Sequence, residues 1–168
     1  MMIDVVEEID IPASQHKVWT ALTDFSSYKK WHPYVRIDGS SLTGEKVRYT
    51  FVRNSRGKLA TTEATLSVCS APREIDIEIG WERVLLVTEW YLLEPVRNGV
   101  RLKHGLRFSG LLASLAGPIL RRCHPDWFYL RRPIVSLRKY LARSRGDGDA
   151  RRRRQSAART SSSQRPLP

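Results

Sequence analysis

Long apolar stretches are missing from this chain. Its longest weakly polar run, Leu111 to Leu120, is ten residues long and contains Gly117 and Pro118, too short to cross a bilayer as a helix. The acidic opening "MMIDVVEEID" has no basic n-region, which argues against a secretory leader. Cysteine is scarce too. Cys69 and Cys123 form neither a CxxC pair nor a framework of staples, so the expectation is a cytoplasmic protein with reduced thiols. There is no P-loop, no dinucleotide-binding glycine fingerprint and no G-x-S-x-G elbow, and the adjacent Cys123-His124 is poorly spaced to converge on one ion. The expectation is therefore no cofactor and no metal.

Acidic residues are in the minority, 17 against 29 Lys and Arg in 168 residues, for a formal charge of +12. Residues 143–168 hold eight Arg against Asp147 and Asp149, which is half of that excess. This stretch has almost no large apolar side chain and could not bury enough surface to offset the chain entropy lost on ordering. The expected organisation is one domain over residues 1–143 and a disordered Arg-rich tail over 144–168. The run Arg151 to Arg154 is suited to contact with nucleic acid or an anionic membrane, or is simply a solvated extension.

What the chain has is alternation. Ile3, Val5, Ile9 and Ile11 alternate with Asp4, Glu8 and Asp10, the period of a half-buried strand. Pro12 ends it, Ser14 is a candidate N-cap, and Val18, Trp19 and Leu22 share a helical face; Asp24 opens a second short helix. Further alternation covers Val47 to Phe51, Ala64 to Val68, Ile75 to Trp81, residues 84–94 and residues 100–108, separated by turn residues such as Ala71-Pro72 and Asn98-Gly99. Near the end, Trp127, Leu130, Ile134, Leu137 and Leu141 are spaced for one long amphipathic helix over 126–143, with Pro133 predicting a kink or a later start. The fold class is α+β: a curved antiparallel sheet of about seven strands, two short helices after the first strand, and a long C-terminal helix across the concave face.

The segment "IDIPASQHKVWTALTDFSSYKKWHPYV" resembles the opening of the START-like (SRPBCC) helix-grip superfamily, which includes polyketide cyclase/dehydrase-type proteins and lipid-transfer domains. The segment "WYLLEPVRNGVRLKHGLRFSGLL" resembles the end of the same domain, where a strand, a Gly-containing turn and an F-S-G-L-L junction lead into the long helix. The resemblance implies a ligand cavity between sheet and helix, and it fits many activities rather than one. Two positions depart from the pattern. His32 stands where the W-x-P element usually carries Asn, and Leu106 where Glu is frequent.

The resemblance also implies that Trp31 and Tyr34 lie near a cavity mouth, either flanking an entrance or closing the core. The expected lining is Trp31, Tyr34, Tyr49, Phe51, Leu66, Ile77, Ile79, Tyr91, His104 and Phe108, and the expected partner a hydrophobic small molecule such as a lipid, polyketide or isoprenoid. His104 is the polar member of the face formed by Val100, Leu102, Leu106 and Phe108, and Glu89 that of the face of Val87 and Tyr91. Pairing Leu93 with Val100 puts Glu89 opposite His104, the arrangement Pro95 favours; a tight turn at Asn98-Gly99 puts Leu93 there instead. Together His104 and Glu89 form a candidate acid/base pair for a cofactor-independent cyclase or dehydratase. Glu7, a lone carboxylate on the apolar face of the first strand, is expected to meet a cation, the histidine or a wet cavity.

Overall fold

The computed structural model of the chain describes residues 2–52, 57–113 and 130–144. Strand β1 (Ile3–Ile11) is followed by α1 (Gln15–Thr23), a 3-10 turn at Phe25–Ser27 and α2 (Tyr28–Trp31). Strands β2 (Val35–Asp38), β3 (Lys46–Val52), β4 (Leu59–Ser70), β5 (Glu74–Trp81), β6 (Leu85–Val96) and β7 (Gly99–Ser109) follow, and helix α3 occupies residues 130–144. The Arg-rich tail beyond residue 144 and the expected helical residues 126–129 lie outside the described residues.

The seven strands form one antiparallel sheet in the order β1-β7-β6-β5-β4-β3-β2. The sheet is a meander except that β1 closes it from the far side, with Ile3 opposite Phe108 and Ile11 opposite Val100. The alternation in sequence becomes burial on one face. Val47, Ile75, Ile77, Leu93, Val100 and Leu102 are at most 2% exposed. Helix α3 lays the expected stripe of Leu130, Ile134, Leu137 and Leu141 into the core, and α1 contributes Val18, Trp19, Ala21 and Leu22. Ser14 caps α1 by accepting from the Lys17 amide at 3.3 Å.

Two registers differ from expectation. In the β6–β7 hairpin Val96 pairs with Gly99, so the loop is Arg97-Asn98 and Tyr91, not Glu89 or Leu93, faces His104. Pro95 is tolerated in the ladder. The Leu93 amide donates to the Arg73 carbonyl, on the β5 side, so the Pro95 nitrogen points the same way, past the β5 residue Glu74 where pairing ends. In β4 a bulge between Leu66 and Val68 turns Val68 outward opposite Asp76 and brings Cys69 opposite Ile75, where it packs on the core.

The outer face has its own tight contact. Gly105 pairs with Trp90, and a Cβ at position 105 would overlap the indole, whose Nε1 donates to Asp4 at 3.2 Å. Gly105→Ala is expected to lower stability by about 1–3 kcal/mol, the range for overpacking, measured by urea unfolding against the wild type. A neutral result would show that the indole swings clear.

Candidate functional site

Glu89, Tyr91, His104 and Tyr49 point from β6, β7 and β3 into the space beneath α3, and each is at most 6% exposed. Glu89 sits opposite Leu106 rather than His104, yet reaches it diagonally: the His104 Nε2 to Glu89 Oε1 distance is 2.9 Å. The Tyr91 hydroxyl donates to the same oxygen at 2.8 Å and the Tyr49 hydroxyl to Oε2. The Tyr91 ring is stacked flat on His104, centroids 4.3 Å apart and planes at 3°. The second ring nitrogen of His104, Nδ1, lies 3.0 Å from the carbonyl oxygen of Leu130 in α3.

Burial opposes the charge on Glu89, but the hydrogen bond and charge of His104, with help from His32 and Tyr49, hold its carboxyl down to about 2. The two His104 nitrogens lie within hydrogen-bond distance of the Leu130 carbonyl and the Glu89 carboxylate, so the ring is held at both ends. Burial, then the neighbouring Glu89 charge, push the Tyr49 and Tyr91 phenols well above their ordinary value, so both remain neutral donors.

A second histidine, His32, completes the cluster. His32 ends α2, is 3% exposed and lies parallel to the Tyr28 ring at 5.5 Å. Its Nδ1 accepts the amides of Tyr34 at 3.3 Å and Val35 at 3.0 Å, so its proton resides on Nε2, which faces the Tyr91 hydroxyl at 3.5 Å. Burial is the main reason its pKa falls to about 3; His104 and Arg36 add to the depression and Glu89 opposes it. The position of His32 before Pro33 in the W-x-P element was the available signal.

The expected lining residues divide. Leu66, Ile77, Tyr49, Tyr91, His104 and Phe108 are buried on the inward face, whereas Phe51 and Ile79 on the same face are half-buried. Trp31 is 4% exposed and packs at 4.6 Å on Tyr28, so it belongs to the core; its Nε1 has no hydrogen-bond partner. Tyr34 is half-buried and its hydroxyl accepts from Arg132 at 3.0 Å, tying β2 to the start of α3. Glu7 meets a cation, Arg131, at 3.8 Å.

Burial is graded along the inward face. At the end where β1 and β6 finish and α3 ends, Leu93, Val100 and Leu102 are closed off. At the other end, where β3, β5 and β7 finish, Ile3, Val5, Phe51, Ile79, Val87 and Leu106 are all partly exposed. The polar cluster lies between these halves. A cleft of ≈ 630 Å³ opens outside the closed end, lined by Ile11, Pro12, Lys17, Asn98, Arg138 and Leu141 among others, and none of the expected lining residues takes part in it. Among the described residues no three His, Cys, Asp or Glu side chains are grouped to hold a metal, and no helix is long and apolar enough to cross a membrane; Cys123 and His124 lie outside them.

Among solved structures, a Staphylococcus aureus protein of unknown function is similar over 87% of this chain and 97% of its own, at TM-score 0.66 and 13% identity. The allergen Ara h 8.0201 matches over 84% and 99%, at 0.56 and 17%. The di-domain ARO/CYC BexL of the BE-7585A biosynthetic pathway matches over 89% of this chain and 47% of its own, at 0.54 and 14%. At such identities these likenesses establish the helix-grip fold. No curated protein matches the chain. The profile of one family covers residues 2–126, the whole sheet together with both short helices, and by it the chain belongs to the polyketide cyclase / dehydrase and lipid transport family.

Proposed function

We propose that this protein binds a hydrophobic small molecule, of the lipid, polyketide or isoprenoid kind, in the open half of its concave face. The observation that carries this reading is the burial gradient: apolar side chains such as Phe51, Ile79, Val87 and Leu106 face inward yet keep accessible surface, while Leu93, Val100 and Leu102 towards the other end are at most 1% exposed. The family, described by polyketide chemistry and lipid transport, supports the same ligand chemistry.

A cyclase or dehydratase using His104 and Glu89 is the second reading. It is favoured by their contact at 2.9 Å and disfavoured by its context. Glu89 already accepts from Tyr49 and Tyr91, and His104 is held between Glu89 and the Leu130 carbonyl. Both are at most 4% exposed, so they are packed into the interior rather than presented to the open half, which favours a binding role.

Native mass spectrometry of the full chain, purified without denaturant, with organic extraction of the adduct, tests the proposal. The expected result is a defined hydrophobic adduct that is lost in Ile79→Trp, which fills the open half, while the melting temperature is kept. A clean apo mass together with no saturable binding of a hydrophobic fluorescent probe would overturn it.

A further inference from the structure

The cleft outside the closed end has a volume of ≈ 630 Å³, inside the range of roughly 300–1,000 Å³ that small-molecule sites occupy. Four segments wall it: the end of β1, the first turn of α1, the β6–β7 hairpin loop and the last turns of α3. Its most buried side chains are apolar, Ile11 at 2% and Leu141 at 5% exposure. The frame is fixed. Gly99, at φ +146°, packs so closely on the Ile11 carbonyl that no Cβ would fit, and the Gln15 side-chain amide ties α1 to the Pro72 carbonyl at 3.1 Å.

The charges on this lining have one sign. Lys17 comes from α1 and Arg138 from α3, and no carboxylate joins them among the described residues. Neither makes an ion pair among those residues. Asp10, whose carboxyl a hydrogen bond from Arg101 and then the charges of Arg101 and Arg138 hold below its ordinary value, is already gripped by Arg101 at 2.8 and 3.1 Å. Two neutral donors share the cleft. The Ser14 hydroxyl oxygen accepts the Lys17 amide at 3.3 Å, which leaves its hydrogen to donate, and Asn98 is exposed with its side-chain amide uncommitted among the described residues. Two cations and two donors over an apolar base complement a head group that only accepts, carried on an apolar body, and the guanidinium fork fits a carboxylate and a phosphate alike. We infer that this cleft binds a small organic anion, a carboxylate or phosphate monoester, with Lys17 and Arg138 on the head and Ile11 and Leu141 against the body. The cleft shares no residue with the expected lining of the concave face, so the proposed function and this inference fail separately.

The test is an amide chemical-shift titration of the full chain with phenyl phosphate and with benzoate, using benzyl alcohol as the uncharged control and inorganic phosphate as the head group alone. Saturable shifts are expected at Ser14 to Lys17, at Asn98 and Gly99, and at Arg138 to Ala142, and they should persist in Ile79→Trp, which alters the concave face instead. The tighter of the two organic anions identifies the head group. Lys17→Ala/Arg138→Ala is expected to weaken binding at least about tenfold at an unchanged melting temperature, since two charge-assisted contacts are lost. Four results would overturn the inference. They are no saturable shift at these amides; equal shifts with benzyl alcohol; inorganic phosphate binding as tightly as phenyl phosphate, which would leave the apolar base without a part; or unchanged affinity in the double variant. Should that variant lose stability, Ala142→Glu, which adds a negative charge at an exposed position on the wall, carries the same expectation.

Discussion

Glu89→Ala is expected to lower stability by about 3–5 kcal/mol at pH 7, because three buried groups lose their partner at about 1–3 kcal/mol each. What the substitution leaves behind is two buried phenol hydroxyls, Tyr49 and Tyr91, and the His104 ring, all of which meet the deleted carboxylate. Replacing Glu89 and His104 together by alanine removes one of those unpaired groups, so the double variant should be more stable than the sum of the singles implies, by about 1–3 kcal/mol of coupling. The measurement is a double-mutant cycle by denaturant unfolding. Additive energies would refute the coupling between the two side chains. The sign with pH follows from the depressed carboxyl: the stabilisation from Glu89 is present above its ordinary value near 4.5 and is lost as pH falls towards about 2.

That contact was half legible in the sequence. Alternation alone puts Glu89 and His104 on inward faces of their strands, because a period of two leaves no choice once Val87, Tyr91, Leu102 and Phe108 are assigned to the core. What alternation cannot give is the register. The Asn98-Gly99 pair suggested one turn and Pro95 another, and the real loop falls between them. The contact forms regardless, since diagonal cross-strand neighbours lie within reach of side chains as long as Glu and His. A one-residue bulge in β4 was equally hidden, because nothing in "TLSVCS" distinguishes an inward Val68 from an inward Cys69. The helix stripe of α3 is legible from Leu130 to Leu141 because four apolar residues at spacings of four, three and four admit only one face.

Leu106 itself adjoins a carboxylate. Its Cα partner on β6 is Glu89, 4% exposed on the same inward face. The three groups that meet Glu89 are Tyr49, Tyr91 and His104, which the sequence places as pocket lining.

His32 is responsible for the second large effect, an acid limb in the stability curve. Its pKa drops from 6.5 to about 3 on folding, so between those values the unfolded chain binds a proton that the folded chain refuses. The His32 contribution to stability then falls as pH falls through this window, by up to about 1.4 kcal/mol per pH unit, against the opposite contribution of Asp76, whose carboxyl burial raises to about 6. The upper part, from about 6.5 to 4.5, belongs to His32 and not to Glu89, whose ordinary value marks the lower bound. His32→Asn isolates it. The Asn Oδ1 can take the place of Nδ1 as acceptor for the Tyr34 and Val35 amides, and Asn is the residue the superfamily pattern carries in the W-x-P element, but it does not titrate. The variant is expected to lie within about 1–2 kcal/mol of wild type at pH 7.5, the loss reflecting the ring contact with Tyr28, and to unfold between pH 6.5 and 4.5 with a slope shallower by up to about one proton. Taking the difference between the two curves cancels the titrating groups that do not interact with His32, Asp76 among them. Parallel curves would mean that His32 accepts its proton inside the folded core, and the Nδ1-to-amide bonds that fix the entry into β2 would then have to break without cost, which their burial does not allow.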